Sequence, residues 1–211
     1  MSLHYLFILG ICVEAITGAI AAGRKKMDFF GVIIIACITG LGGGTVRDTL
    51  FNTHPLTWVS HPEYLIYTSI CAFFTIIFAH HLTRIMKVFL VLDALGLATF
   101  VVIGTQSLLS AGFPSSVAVI GGMLTGICGG MLRDILCNDV PLVLRREIYA
   151  LVALAGGVLY VTLERYNVSH EVDVIISLSC IFFIRVFAIF FHIEMPKFDY
   201  AKSVNKRKNI P

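Results

Sequence analysis

The sequence predicts an all-α polytopic membrane protein with seven transmembrane helices, arranged as two inverted three-helix repeats plus a seventh helix. Three observations predict it. Hydrophobic residues make up 57% of the 211 residues and charged residues only 14%, with a mean hydropathy of +0.88, against about 45–50% and about 25% in soluble domains. Apolar runs fall near 3–22, 29–51, 63–83, 88–109, 116–137, 148–164 and 172–193, each close to the roughly 20 residues that span a bilayer as a helix. Two glycine-rich segments recur at a constant offset. So apolar a chain leaves no room for a large extramembrane domain, which excludes a soluble Rossmann or barrel enzyme.

The first run lacks the positively charged start of a signal peptide, and its basic cluster, Arg24-Lys25-Lys26, follows it. It therefore reads as a retained helix with the N-terminus outside. Arg84 and Lys87 lie in the third loop and Arg145 and Arg146 in the fifth. Lys197, Lys202, Lys206, Arg207 and Lys208 lie in the tail. With seven spans these twelve fall on one side, and only Arg165 falls on the other. Lys/Arg bias sets orientation, so the C-terminus is expected in the cytoplasm. The tail, 195–211, reads as a basic cytoplasmic anchor near anionic lipid. No basic stripe outside it suits nucleic acid.

Span two contains Gly31, Gly40, Gly42, Gly43 and Gly44, and span five contains Gly121, Gly122, Gly126, Gly129 and Gly130. Residues 39–56, TGLGGGTVRDTLFNTHPL, match residues 125–142, TGICGGMLRDILCNDVPL, in register at an offset of 86. One repeat covers 1–87 and the other 88–171. Residues 172–194 form the added seventh helix. Three spans per repeat is an odd number, so the second copy enters the membrane from the opposite side, as in transporters and channels with a midplane pathway. Glycine inside a helix costs about 1 kcal/mol relative to alanine. The clusters are expected to kink or unwind the helices and free carbonyls for cations. The alternative is close packing, since Gly40/Gly44, Gly122/Gly126 and Gly126/Gly130 are GxxxG pairs.

Ionisable residues inside spans are costly and either paired or functional. Here they are Glu14, Arg47, Asp48, Asp93, Arg133, Asp134 and Arg185. Helix neighbours do not face each other, so Arg47 and Arg133 are expected to pair across helices rather than with Asp48 and Asp134. These groups either lock the bundle or line a path. Asp93 falls opposite Phe7 at the repeat offset, and Glu14 lies two turns beyond Phe7 on the same face. Arg185 either snorkels to the inner surface or pairs with an acid.

The six cysteines form no CxxC pair and read as small buried hydrophobes. His54, His61, His170 and the His80-His81 pair read as interfacial, not metal ligands. No HExxH, GxSxG, phosphate-binding loop or TVGYG filter occurs, so neither an enzyme nor a cofactor or metal site is expected.

The segments GGGTVRD and CGGMLRD, with the seven-span plan, resemble the trimeric intracellular cation channel superfamily, closest to its bacterial inner-membrane branch with a duplicated GGGxxRD motif. Supporting segments are RKKMDFFG at 24–31, LDALGLA at 92–98 and LRREIYA at 144–150. The resemblance implies a homotrimer in the bacterial inner membrane, each protomer carrying its own pore lined by kinked helices two and five. It implies passage of monovalent cations, potassium or sodium. On that basis the ion pathway comprises Thr39, Gly42, Gly43, Gly44, Arg47, Asp48, Asp93, Thr125, Gly129, Gly130, Arg133 and Asp134, with Glu14 and Arg185 as secondary candidates. Cys128 replaces the first glycine of the second triplet. The animal members' lipid-linked lysine motif is not evident. The competing expectation is a secondary transporter for a small solute such as glycine, for which inverted repeats serve equally well.

Overall fold

In the computed structural model, residues 3–79, 85–145 and 148–191 are described. They form α1 (Leu3–Arg24), α2 (Phe29–Leu50), α3 (Thr57–Ser60), α4 (Glu63–Ala79), α5 (Ile85–Ser110), α6 (Ser115–Leu136), α7 (Leu142–Arg145), α8 (Ile148–Arg165) and α9 (His170–Phe190), and no strand among the described residues. Six of these helices are long and apolar enough to cross a membrane, and α4 is a shorter apolar helix. The seven predicted spans match these seven long helices. The basic tail, His80-His81, Arg84 and Arg146 lie outside the described residues. The expected repeat boundaries at 87/88 and 171/172 fall inside the first turns of α5 and α9.

Local chemistry sets the ends. Asp28 caps α2, its Oδ1 accepting from Gly31 N at 2.7 Å, which satisfies an otherwise orphaned donor. Left-handed residues follow the helix ends: Lys26 after α1, Asn52 after α2, Gly112 after α5, Asn138 after α6 and Asn167 after α8. Glycine and asparagine take that conformation most easily. Asn52 and Asn138 are repeat mates, so the two halves turn at the same residue. The short helices α3 and α7 were not legible as separate elements. Each follows a repeated proline, Pro55 or Pro141.

Helices α1, α2, α5 and α6 form the centre. Helix α4 flanks α1 and α2, while α8 and α9 flank α5. Ile11, Leu97, Val101 and Val102 are fully buried there, while Phe73, Phe74, Phe183 and Phe187 face outward. Outward aromatics and aliphatics are stable in lipid, where no water penalises them. The contacts repeat at the sequence offset. A Cβ added at Gly40 would lie 2.9 Å from Ile11 O, and one at Gly126 would lie 3.2 Å from Leu97 O.

The expected unwinding at the glycine clusters is absent: α2 and α6 are continuous helix through 40–44 and 126–130. The reason is packing. At Gly43 a Cβ would collide with Thr125 O, and at Gly129 it would lie 2.5 Å from Thr39 O. Because Gly43 opposes Thr125 while Gly129 opposes Thr39, α2 and α6 cross antiparallel. Only hydrogen fits between the two backbones there. The surrounding helices keep the ladder intact despite low helix propensity.

Candidate functional site

The buried charges collect at two places, each near the C-terminal end of a central helix. On α2, Arg47 donates from Nε at 2.8 Å and from Nη2 at 2.6 Å to Asp48 Oδ1. Asp48 Oδ2 accepts from Thr57 N at 2.9 Å and Thr57 Oγ1 at 2.8 Å. The carboxylate thereby ties the start of α3 to the end of α2. On α6, Arg133 Nε donates to Asp134 Oδ1 at 2.8 Å, and Asp134 Oδ2 accepts from Leu142 N at 2.9 Å, which ties the start of α7 in the same way.

These pairs correct the expectation that adjacent residues would not meet. Arg47 and Arg133 bend along the helix toward the following aspartate. Near a helix end the two side chains can converge on one carboxylate oxygen that a mid-helix pair would not share.

The two sites then differ. Arg133 also reaches across helices, as expected. Its Nη1 lies 2.9 Å from Asp93 Oδ1 on α5 and 3.8 Å from Glu14 Oε2 on α1. The same Nη1 donates to Thr17 Oγ1 at 3.0 Å, and Thr17 Oγ1 lies 2.9 Å from Glu14 Oε2 and 2.8 Å from Glu14 O. The Arg133 guanidinium lies 4.6 Å from the Phe89 ring centroid, a favourable place for a cation. Three carboxylates thus surround one guanidinium that is 0% exposed. Arg47 has no second acid, because its only ion-pair partner among the described residues is Asp48.

Thr39 and Thr125 bond their hydroxyls to Ile35 O and Gly121 O, both at 2.6 Å, and turn their own carbonyls toward the opposite helix. A Cβ at Gly42 would meet the Leu132 side chain at 2.8 Å, and one at Gly130 would sit 3.6 Å from Asp93 Oδ1. At Gly44 it would meet no described residue within 4 Å. Arg185 does not snorkel. It is 2% exposed, with its guanidinium 4.4 Å from the Tyr149 ring centroid. Arg47, Asp48, Arg133, Asp134, Asp93 and Glu14 are all buried.

Sequence reasoning missed Thr17, Thr57, Phe89 and Tyr149, which complete the two sites. Thr17 stands one turn after Glu14, a pattern that could have flagged it. Thr57 carries no such signal, since a loop brings it to Asp48. Buried Asp173, at the start of the seventh run and in the first turn of α9, was also missed. Its Oδ1 accepts from Ser177 Oγ at 3.1 Å.

Outside the spans, Lys25 Nζ bonds Asp139 Oδ1 at 2.8 Å, and that ammonium holds the Asp139 carboxyl below its ordinary range. A cavity of about 400 Å³ lies among Ala19, Arg24, Met27, Phe29 and Ile85, and an apolar groove of about 320 Å³ among Ile38, Leu41, Gly42, Trp58 and Leu132. The space against Gly130, Arg133, Asp134 and Tyr149 has no room for water. The six cysteines are free.

A family model described as "Glycine transporter" matches residues 4–80 and 90–165. The chain is 36% identical over 200 residues to the UPF0126 inner membrane protein YadS of Escherichia coli (strain K12), covering 94% of this chain and 97% of that protein. The TRIC trimeric intracellular cation channel orthologue from Rhodobacter sphaeroides superposes with a TM-score of 0.88 at 34% identity, over 90% of this chain and 98% of the other. A prokaryotic TRIC channel superposes with a TM-score of 0.85 at 29% identity, over 92% and 98%.

Proposed function

The chain belongs to the glycine transporter family, within the trimeric intracellular cation channel superfamily, and from that membership we propose that it is a cation channel of the bacterial inner membrane. The observation that carries the proposal is the match, over nine-tenths of the chain, to a solved channel of that superfamily. We further infer that it conducts potassium and assembles as a homotrimer in membrane lipid. Each protomer would hold its own route beside the α2/α6 crossing.

The route would run past Thr39, Gly42, Gly43 and Gly44 on one helix and Thr125, Gly129 and Gly130 on the other. Arg47–Asp48 would stand toward one end. Arg133–Asp134, with Asp93, Glu14 and, farther along, Arg185, would stand toward the other. The two halves, 1–87 and 88–171, would be inverted copies, with the N-terminus outside and the C-terminus in the cytoplasm. Repeat-mate contacts and the Lys/Arg distribution support this.

Intact helices remove freed backbone carbonyls as cation ligands, so cation preference falls to side chains. The carboxyl oxygens around Arg133 support it, because oxygen ligands along a route lower the cost of a passing cation. The tight packing against Arg133 supports a closed state of the route.

Purified protein in planar bilayers should give unitary currents that reverse near the potassium equilibrium potential under a potassium gradient. Slow, saturable flux without unitary events would overturn the channel proposal. The description of the matching family favours a second reading, carrier-type transport of glycine. Counterflow of labelled glycine in liposomes tests it, and an absence of saturable exchange excludes it.

A further inference from the structure

Two of the three acids around Arg133, Glu14 and Asp93, have no acidic counterpart in the other half of the molecule. At the offset of 86, Asp93 corresponds to Phe7 and Glu14 to Phe100. Those two rings pack edge to face with centroids 6.0 Å apart. The α1/α5 contact is thus satisfied by two apolar side chains at one place and carries two acids at its mate. Packing does not require the acids.

Charge counting shows what they bring. Glu14, Asp93 and Asp134 face Arg133, and a further described cation, Arg185, lies against the ring of Tyr149. Tyr149 lies within electrostatic reach of Glu14, Asp93 and both arginines. Every one of these residues is at most 6% exposed. Three carboxylates against two guanidiniums leave one negative charge over, and an uncompensated charge in such surroundings is expensive enough that the group neutralises instead.

Among the described residues, the other elements bring no further cation to the cluster. On α2, Arg47 is committed to Asp48. On α4, Glu63 stands at the helix start beside His61. Lys87 is exposed at the start of α5. The space bounded by Gly130, Arg133, Asp134 and Tyr149 has no room for a water molecule, nor for a potassium ion, which is of about the same size. Among the described residues, no cation besides Arg133 and Arg185 offsets the third carboxylate, which points to a proton.

The hydrogen bonds single out its holder. Asp134 has both oxygens bonded, and Asp93 Oδ1 takes a short bond from Arg133. Glu14 is the acid farthest from the guanidinium. Asp93 Oδ2 is buried and accepts no hydrogen bond from any described residue, an open acceptor within the cluster. We propose that Glu14 is a proton-binding site whose carboxyl holds one exchangeable proton beside Asp93 and Arg133. When its O–H bond breaks, the proton passes to water and the Glu14 carboxylate competes with Asp93 for Arg133. The consequence for conduction rests on the channel reading, whereas the proton site does not.

Infrared difference spectroscopy of the full-length protein in liposomes, titrated in H2O and in D2O, tests it. The C=O stretch of a protonated carboxylic acid should be present at neutral pH, shift in D2O and fade as the pH is raised. It should vanish in Glu14→Gln and persist in Asp173→Asn, which removes a buried acid outside the cluster. Glu14→Gln should also fold and unfold thermally like the wild type, since glutamine keeps the neutral shape. No band in the wild type at neutral pH, a band that survives Glu14→Gln, or a Glu14→Gln variant that does not fold would each overturn the proposal. A titrating band in protein that passes no unitary current leaves the proton site standing and sinks the channel reading; currents without the band do the reverse.

Discussion

Asp48 and Asp134 each hold three things at once: the preceding arginine, the end of their own helix and the first turn of the next short helix. Deleting one partner of a buried pair leaves the other charge uncompensated, at a cost of about 3–5 kcal/mol. Asp48→Ala should therefore lower thermal stability strongly in detergent, and more than Asp134→Ala. Arg47 would be left with no acid and α3 would lose its anchor, whereas Arg133 would keep Asp93 and Glu14. Thr57→Val removes hydroxyl bonds but leaves the backbone donor, so about 1 kcal/mol is expected. The Lys25–Asp139 pair is a different case, since each side chain is about one-third exposed. Lys25 depresses the Asp139 carboxyl in the folded state, so the stability it contributes is present above the unfolded carboxylate value of about 3.9 and is lost as the pH falls through the folded one. Solvent screening limits it to about 0–1 kcal/mol. Asp139→Asn should leave stability at neutral pH within that range and flatten the acid side of a pH–stability curve.

At the scale of the helix, the glycines divide by what faces them. Gly43→Ala and Gly129→Ala each place a methyl against the carbonyl of the opposing threonine. Backbone cannot rotate away as a side chain does, so overpacking should cost about 1–3 kcal/mol per site. Gly44→Ala meets open space and should be neutral or stabilising, by up to about 1 kcal/mol of helix propensity. Thermal unfolding of the three variants separates the two classes. Equal losses at all three would mean that glycine is needed for something other than the α2/α6 crossing. The same contrast explains why the sequence misled about unwinding. Propensity favours a break at four glycines in five residues, but the crossing recovers more by letting two backbones touch than the helices lose. In lipid, where water does not drive apolar surfaces together, such close approach is a main source of helix association.

For the whole molecule, the outward aromatics of α4 and α9 fit a lipid-facing rim, and the chain superposes on solved TRIC channels over 90% and 92% of its length. The homotrimer is tested by chemical cross-linking in native membranes, which should give a ladder ending at three subunits. A ladder ending at one or two would reject it. If Glu14 exchanges a proton beside the route, open probability in bilayers should vary with pH in the wild type and be flat in Glu14→Gln.

The sequence by itself determined the class of fold, the seven apolar helices to within a few residues, the duplicated segment and the family. All of these depend on composition and spacing, which the chain carries locally. It also named the buried charges other than Asp173, because an ionisable residue in the middle of an apolar run stands out wherever it ends up. The tertiary structure decided how those charges pair and what the glycines do. Whether Arg133 meets Asp134, Asp93 or Glu14 depends on three helices arriving at one point. Whether a glycine bends a helix or seats another depends on the partner that presses against it. Spacing along one chain carries neither piece of information, since both are distances between segments more than a span apart.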